Sequence, residues 1–261
     1  MISGRVYSEE QLYLEYVIQQ NKPGLLGAVS TLLGMLEINI LTVNGIGEDR
    51  RGFLLQYPSP EKVQALQEAL QHVDTIEIAA FRPPTIFDRL ALRHGRRLDK
   101  AESNPPTYRF IREELGLLVD FLGDTLVEGG NQLIGIRGVP RVGKTEAAIS
   151  ACVYANKKWI LLSSTIIRQT LRTALMLDEA EDSVFLIDGM TSTSRGNDAH
   201  WELLNRVMEL PTPKIIEHPD VFLRDGRIKR DLDFIIEIRN QPQDEIGIDD
   251  VAVSFSAFDI S

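Results

Sequence analysis

Gly138-Val139-Pro140-Arg141-Val142-Gly143-Lys144-Thr145 follows the apolar run Leu133-Ile134-Gly135-Ile136 and precedes Glu146-Ala147-Ala148-Ile149, which reads as the opening of a helix. The octet fits the phosphate-binding pattern G-x-x-x-x-G-K-[ST] in full, with the preceding strand and following helix that the pattern needs. The reason is geometric. Glycines let successive backbone N–H groups converge on a phosphate, and a helix N-terminus adds the positive end of its dipole. The expected binding residues are therefore Gly138, Val139, Pro140, Arg141, Val142, Gly143, Lys144, Thr145 and Glu146. Lys144 is expected to bridge the terminal phosphates and the Thr145 hydroxyl to help hold Mg2+.

Outward from the octet, short apolar runs recur at Trp159-Ile160-Leu161-Leu162, Val184-Phe185-Leu186-Ile187, Lys214-Ile215-Ile216 and Phe234-Ile235-Ile236. Continuous runs of this length suit parallel strands covered on both faces, and the segments between them are long enough for crossover helices. The spacing predicts an α/β doubly wound parallel sheet over 107–261, opened by a helix from Tyr108 to Val127. Asp188 ends the second of these runs, where a carboxylate beside the metal is needed. It resembles a Walker B aspartate, as the octet resembles the Walker A loop of P-loop NTPases. That resemblance implies Lys144 and Asp188 as the catalytic pair, with Thr145 and Asp188 at the metal. Many hydrolytic members carry a glutamate directly after the aspartate; here Gly189 and Met190 follow. Fast hydrolysis is thus not implied. Glu217, His218, Asp198 and Glu202 are candidate substitutes, and Arg224, Arg227, Arg230 and Arg239 are candidate charge stabilisers. Asn156-Lys157-Lys158-Trp159 precedes its strand and lacks the Asp of a guanine-selective Asn-Lys-x-Asp segment, so ATP is the expected nucleotide by default.

The first third has a different rhythm. Leu12, Leu14, Tyr16 and Ile18 alternate as in a half-buried strand, and Asn21-Lys22-Pro23-Gly24 breaks the chain. Leu25, Val29, Leu32, Leu33 and Leu36 then recur at helical spacing. Strands near Ile38–Ile46 and Gly52–Tyr57, a helix from Pro60 and a strand at Ile76–Phe81 complete a βαββαβ order, the ferredoxin-like plan. With Asn21-Lys22-Pro23-Gly24-Leu25-Leu26 and Ile38-Asn39-Ile40, residues 1–82 resemble an ACT domain. The resemblance implies a regulatory module that senses an amino acid or small metabolite, or pairs two chains into a homodimer. Its effector residues would be Asn21, Gly24, Leu25 and Asn39, although that family commonly has Asp where Asn21 stands.

Between the two parts, residues 83–106 read as a linker bounded by Arg82-Pro83-Pro84 and Asn104-Pro105-Pro106. Arg89, Arg93, His94, Arg96 and Arg97 make it basic, read first as a solvated helix face and only secondarily as a nucleic-acid arm. The 261-residue chain is otherwise acidic, with a formal charge of −10 that repels phosphate backbones. Its 43% apolar residues are enough for a packed core. The single cysteine, Cys152, allows no internal disulfide and fits a reducing compartment. Met1–Glu10 has no apolar segment like that of a secretory signal, and no run approaches the roughly 18 residues of a membrane span. The expectation is a cytoplasmic protein with no membrane partner.

The whole arrangement resembles an uncharacterised Bacillus-type family that joins an ACT-like domain to a P-loop NTPase-like domain. The resemblance implies a nucleotide-binding regulator, a slow Mg-dependent ATPase or switch. The alternative is a phosphotransferase using the same loop, with a DNA-associated regulator a more distant third.

Overall fold

The computed structural model describes residues 11–162, 182–195, 198–224, 226 and 230–244. The chain is α/β and divides into two compact units, Met1–Arg97 and Leu98–Ser261.

The first unit runs β1 (Gln11–Ile18), α1 (Leu25–Met35), β2 (Asn39–Gly45), β3 (Arg50–Gln56), α2 (Pro60–Leu70), β4 (Ile76–Arg82) and α3 (Ile86–His94). Its antiparallel sheet has the order β2-β3-β1-β4. Alternation along β1 serves two cores. Leu12, Leu14 and Tyr16 join Val29 and Leu33 of α1 and Leu66 and Leu70 of α2. Tyr13 turns the other way and packs with Ile46, Leu54, Ala91 and Leu92. The second face is covered by α3, which lies in the stretch expected to be a linker. That helix is built to stay: Thr85 and Asp88 form a reciprocal capping box, and Arg82 grips both Asp88 oxygens at 2.6 and 3.0 Å. Two residues of the basic cluster also turn inward, Arg89 onto Gln11 at 2.6 Å and Arg97 onto Glu15. A sheet face carrying Tyr13 and Leu54 needs a cover, and α3 supplies it.

Glu15 shares that face and is fully buried. It accepts hydrogen bonds from the Tyr13 hydroxyl (2.5 Å) and Arg50 Nη1 (2.9 Å), and it pairs with Arg97. Burial alone would raise the carboxyl pKa. The Tyr13 and Arg50 hydrogen bonds and the Arg97 charge outweigh that and hold it below the ordinary glutamate value.

The second unit contains β5 (Asp99–Ala101), β6 (Thr107–Ile111), a 3-10 turn (Arg112–Glu114), α4 (Leu115–Glu128), β7 (Leu133–Gly138), α5 (Lys144–Tyr154) and β8 (Lys158–Leu162). It continues with β9 (Ser183–Asp188), α6 (Gly189–Arg195), α7 (Asp198–Glu209), β10 (Lys214–Glu217), α8 (Pro219–Arg224) and β11 (Phe234–Arg239). The sheet order is β5-β6-β11-β7-β10-β9-β8, parallel throughout except for β5. One face packs on α7 through Leu133, Phe185, Ile187, Trp201, Leu204 and Ile216. The helix expected from Tyr108 begins only at Leu115, because Tyr108 and Phe110 alternate on a strand. Both rings pack on Phe121 of α4, at centroid distances of 4.9 and 6.0 Å, and Tyr108 meets Phe234 at 5.6 Å. Aromatic packing across the sheet wins over the helical spacing shared with Leu115, Leu118 and Leu122. No described helix is long and apolar enough to cross a membrane.

Glu15→Gln keeps the side-chain shape and removes the charge that three donors serve. It is expected to cost the full-length protein about 2–4 kcal/mol at pH 7, read as a lower urea midpoint. The folded pKa of Glu15 lies below the unfolded one, so this contribution is complete above the unfolded value and is lost as pH falls through the folded one. The gap between wild type and variant should therefore hold from pH 5 to 7 and narrow progressively as pH falls below about 4. Equal midpoints at pH 7 would rule out a stabilising ion cluster.

Candidate functional site

The site starts where β7 ends. Gly138 pairs with Ile238 of β11 and has φ 154°; a Cβ there would stand 2.5 Å from the Ile238 carbonyl oxygen. Only glycine lets the chain leave the strand at that point. Gly143 caps α5 with φ 106°, and a Cβ on it would meet Leu115 at 3.0 Å. Between them Arg141 is left-handed at φ 64°, and its carbonyl accepts a hydrogen bond from Arg112 at 3.1 Å. Val142 is buried beneath the loop, and the Ala147 amide begins the helix by bonding the Gly143 carbonyl at 2.9 Å. Pro140, Arg141, Thr145 and Glu146 are exposed.

Lys144 is only 6% exposed. Its Nζ donates to the carbonyl oxygens of Gly138 (2.8 Å) and Val139 (3.0 Å), so the ammonium sits inside the curl of its own loop. Burial lowers its pKa, while Glu217 and Asp188 pull it back up. The Thr145 hydroxyl donates to Glu217 Oε1 at 2.5 Å.

The sheet order explains that partner. β10 lies between β7 and β9, and Glu217 at its end stands in register with Ile136 on one side and Asp188 on the other. Neighbouring strands are about 4.8 Å apart, so Asp188 is roughly twice as far as Glu217 from the strand that feeds the loop. Burial raises the Glu217 pKa, as does Asp188, against the Thr145 hydrogen bond and the Lys144 charge. His218 follows with φ 56° and its amide on the Ile136 carbonyl. Burial and Lys144 lower its pKa, while Asp188 and Asp220 oppose them. Among the described residues, no three His, Cys, Asp or Glu side chains are grouped to hold a metal by themselves.

The sequence-predicted loop residues and Asp188 thus end on adjacent parts of one sheet edge, and Glu217 joins them. The sequence offered Glu217 as a substitute base; its contact with Thr145 depends on the strand order, which is not local information. The arginine candidates fare differently. Arg230 binds Asn131 and the Met208 carbonyl at the amino ends of the parallel strands, a strand length of roughly 20 Å from the loop. Arg227 lies outside the described residues, and Arg224 is exposed at the end of α8. Arg239 is held by Glu237 (2.6 Å) and the Pro242 carbonyl (2.9 Å). Asp198 is exposed, and Glu202 pairs with Arg206 along α7. In the first unit, Asn21, Gly24 and Asn39 are exposed and Leu25 packs against the α1–α2 core. No hydrogen bond between described side chains joins Asn21 to Asn39.

The family described as "Protein of unknown function (DUF3388)" matches residues 78–257. The chain belongs to the DUF3388 family. A relative, the uncharacterised protein YmfK of Bacillus subtilis (strain 168), is 46% identical over 236 residues, covering 90% of this chain and 88% of that protein. The DUF3388 span takes in the 138–145 loop, Asp188 and Glu217, whereas Asn21, Gly24, Leu25 and Asn39 precede it. Among solved structures, a phospho-2-dehydro-3-deoxyheptonate aldolase from Thermotoga maritima is 10% identical with a TM-score of 0.21, covering 87% of this chain and 69% of its own. At that score the likeness supports no conclusion.

Gly138→Ala should drive a methyl group into the β11 backbone and cost about 1–3 kcal/mol, seen as a lower melting temperature of the full chain. An unshifted melt would mean that the strands part there without penalty.

Proposed function

We propose that the second unit is a P-loop NTPase-like domain that binds a nucleoside triphosphate with Mg2+, ATP by default, and works as a nucleotide-dependent regulator with slow hydrolysis. The observation that carries this reading is the buried Lys144 ammonium held on the Gly138 and Val139 carbonyls, within a loop entered and left through glycines. Those residues fit a polyphosphate. The positive-φ glycines let the loop turn tightly over Ile238 and Leu115, and the α5 N-terminus adds its dipole. The ammonium exchanges neutral carbonyls for charged phosphate oxygens, to which hydrogen bonds are roughly twice as strong.

Thr145 and Asp188 would hold the Mg2+, which supplies neutralisation of the charge on the terminal phosphates. With few protein ligands gathered for it, the cation depends on the nucleotide for the rest of its shell. Gly189 brings no base to the attacking water from β9, which favours a long-lived bound state and hence a switch. The same residue favours a second reading, a small-molecule phosphotransferase, since an enzyme passing phosphate to an acceptor gains from not activating water. The DNA-associated reading loses support from Arg89 and Arg97, which are spent on Gln11 and Glu15.

For the first unit, the order β2-β3-β1-β4 with the α1–α2 core on one face supports an ACT-like module. Its roles would be to bind an amino acid or small metabolite near Asn21, Gly24, Leu25 and Asn39, or to pair two chains as a homodimer. The cytoplasm is the proposed location.

Calorimetry on the full chain should show micromolar binding of Mg·ATP. Lys144→Ala should weaken it at least about tenfold, the equivalent of about 1.4 kcal/mol. Silence with every triphosphate at millimolar concentration would end the proposal. If the first unit regulates the second, a panel of amino acids should contain one that shifts ATP affinity, because coupling requires unequal binding to the two states.

A further inference from the structure

At the 138–145 loop, a side-chain contact joins residues 72 positions apart. Thr145 is the second residue of α5, and its hydroxyl donates to Glu217 Oε1, 2.5 Å away. A hydroxyl has one proton and two lone pairs. A threonine whose proton is fixed on a carboxylate has its lone pairs fixed as well, and they are what a cation coordinates. Glu217 is itself fixed, because β10 is an interior strand with parallel partners on both sides. Asp188, in register with Glu217 on the outer neighbour, is separated from the loop strand by the whole width of β10. The two carboxylates therefore have different reach. Glu217 bonds the Thr145 hydroxyl directly.

Resting on the P-loop reading above, we infer that Glu217 is the positioning residue for the divalent cation: through the Thr145 hydroxyl it couples Mg2+ to triphosphate binding, so that metal coupling at this loop runs through β10 as well as β9. The residue works on the cation through Thr145, whereas the Lys144 ammonium is hydrogen-bonded by the Gly138 and Val139 carbonyls and meets Glu217 only through its charge. Neutralising Glu217 removes a negative charge beside the loop, so it should not weaken metal-free nucleotide binding, and it should remove the gain that Mg2+ confers.

The test measures affinity for a fluorescent ATP analogue with excess EDTA and with saturating Mg2+, on the full-length wild type, Glu217→Gln, Glu217→Asp, Thr145→Val and the Glu217→Gln/Thr145→Val double variant. The metal-free affinity of Glu217→Gln should be no weaker than that of wild type, since the variant removes a negative charge beside the loop. Its Mg2+-dependent gain should fall roughly tenfold, and Thr145→Val should lose about as much. The double variant should lose no more than either single one, because both act through one hydrogen bond. Glu217→Asp, one methylene too short to reach Thr145, should behave like the Gln variant and guards against an unfolded Gln variant. A full Mg2+ gain in either Glu217 variant, or additive losses in the double variant, overturns the inference. A wild-type chain that binds no triphosphate under either condition overturns the P-loop reading itself, which keeps the two failures apart.

Discussion

A lysine ammonium taken out of water must find oxygen atoms for its protons, and Lys144 finds them within its own loop. That demand organises the surrounding backbone. The Gly138 and Val139 carbonyls can turn toward Nζ only if the chain bends sharply as it leaves β7, and the bend takes Gly138 to φ 154° against the β11 backbone. The return path needs left-handed geometry at Arg141 and Gly143. Arg141 is held from outside by the Arg112 guanidinium on its carbonyl, and Gly143 stands where a Cβ would come within 3.0 Å of Leu115. β6 with its following turn, α4, β7 and β11 thus all bear on where one ammonium sits.

Much of this was legible in the sequence because it is local. The loop octet, the apolar runs of the parallel strands and the alternation of Leu12, Leu14 and Tyr16 are all patterns within ten residues, the range over which side-chain period reports the backbone. What escaped depends on which distant segments become neighbours. Residues 108–111 share the helical spacing of Leu115, Leu118 and Leu122, and only the rings of Phe121 and Phe234 turn them into a strand. Residues 83–97 read as a basic connection, yet the uncovered face of the first sheet draws α3 onto Tyr13 and Leu54. Glu217 lies 72 residues beyond Thr145, and no spacing rule predicts that β10 will slip between β7 and β9. Period is written along the chain, but strand order is a property of the assembled sheet.

Among the buried charges of the described residues, Glu15, Lys214 and Lys144 are satisfied in three different ways. Glu15 is held by two arginines and a tyrosine, a shell of cations and a phenol that no ligand could displace without leaving charges bare in the interior. Lys214 is fully buried with neutral acceptors, the Asn131 side chain and the Met208 and Leu210 carbonyls, and burial with the neighbouring Arg230 pushes its ammonium down to about 8. Those carbonyls belong to the end of α7, where the last-turn oxygens have no helical partners of their own, so Lys214 works as a cap. Lys144 also has neutral acceptors, but they lie in a loop beside the N-terminus of α5, whose first-turn amides have no side-chain cap. Exchanging its carbonyls for an anion would satisfy the lysine and those amides in one step, whereas the same exchange at Lys214 would strand the helix carbonyls. Burial alone does not separate a structural cation from a functional one. The separation lies in whether the partners it gives up have somewhere else to go.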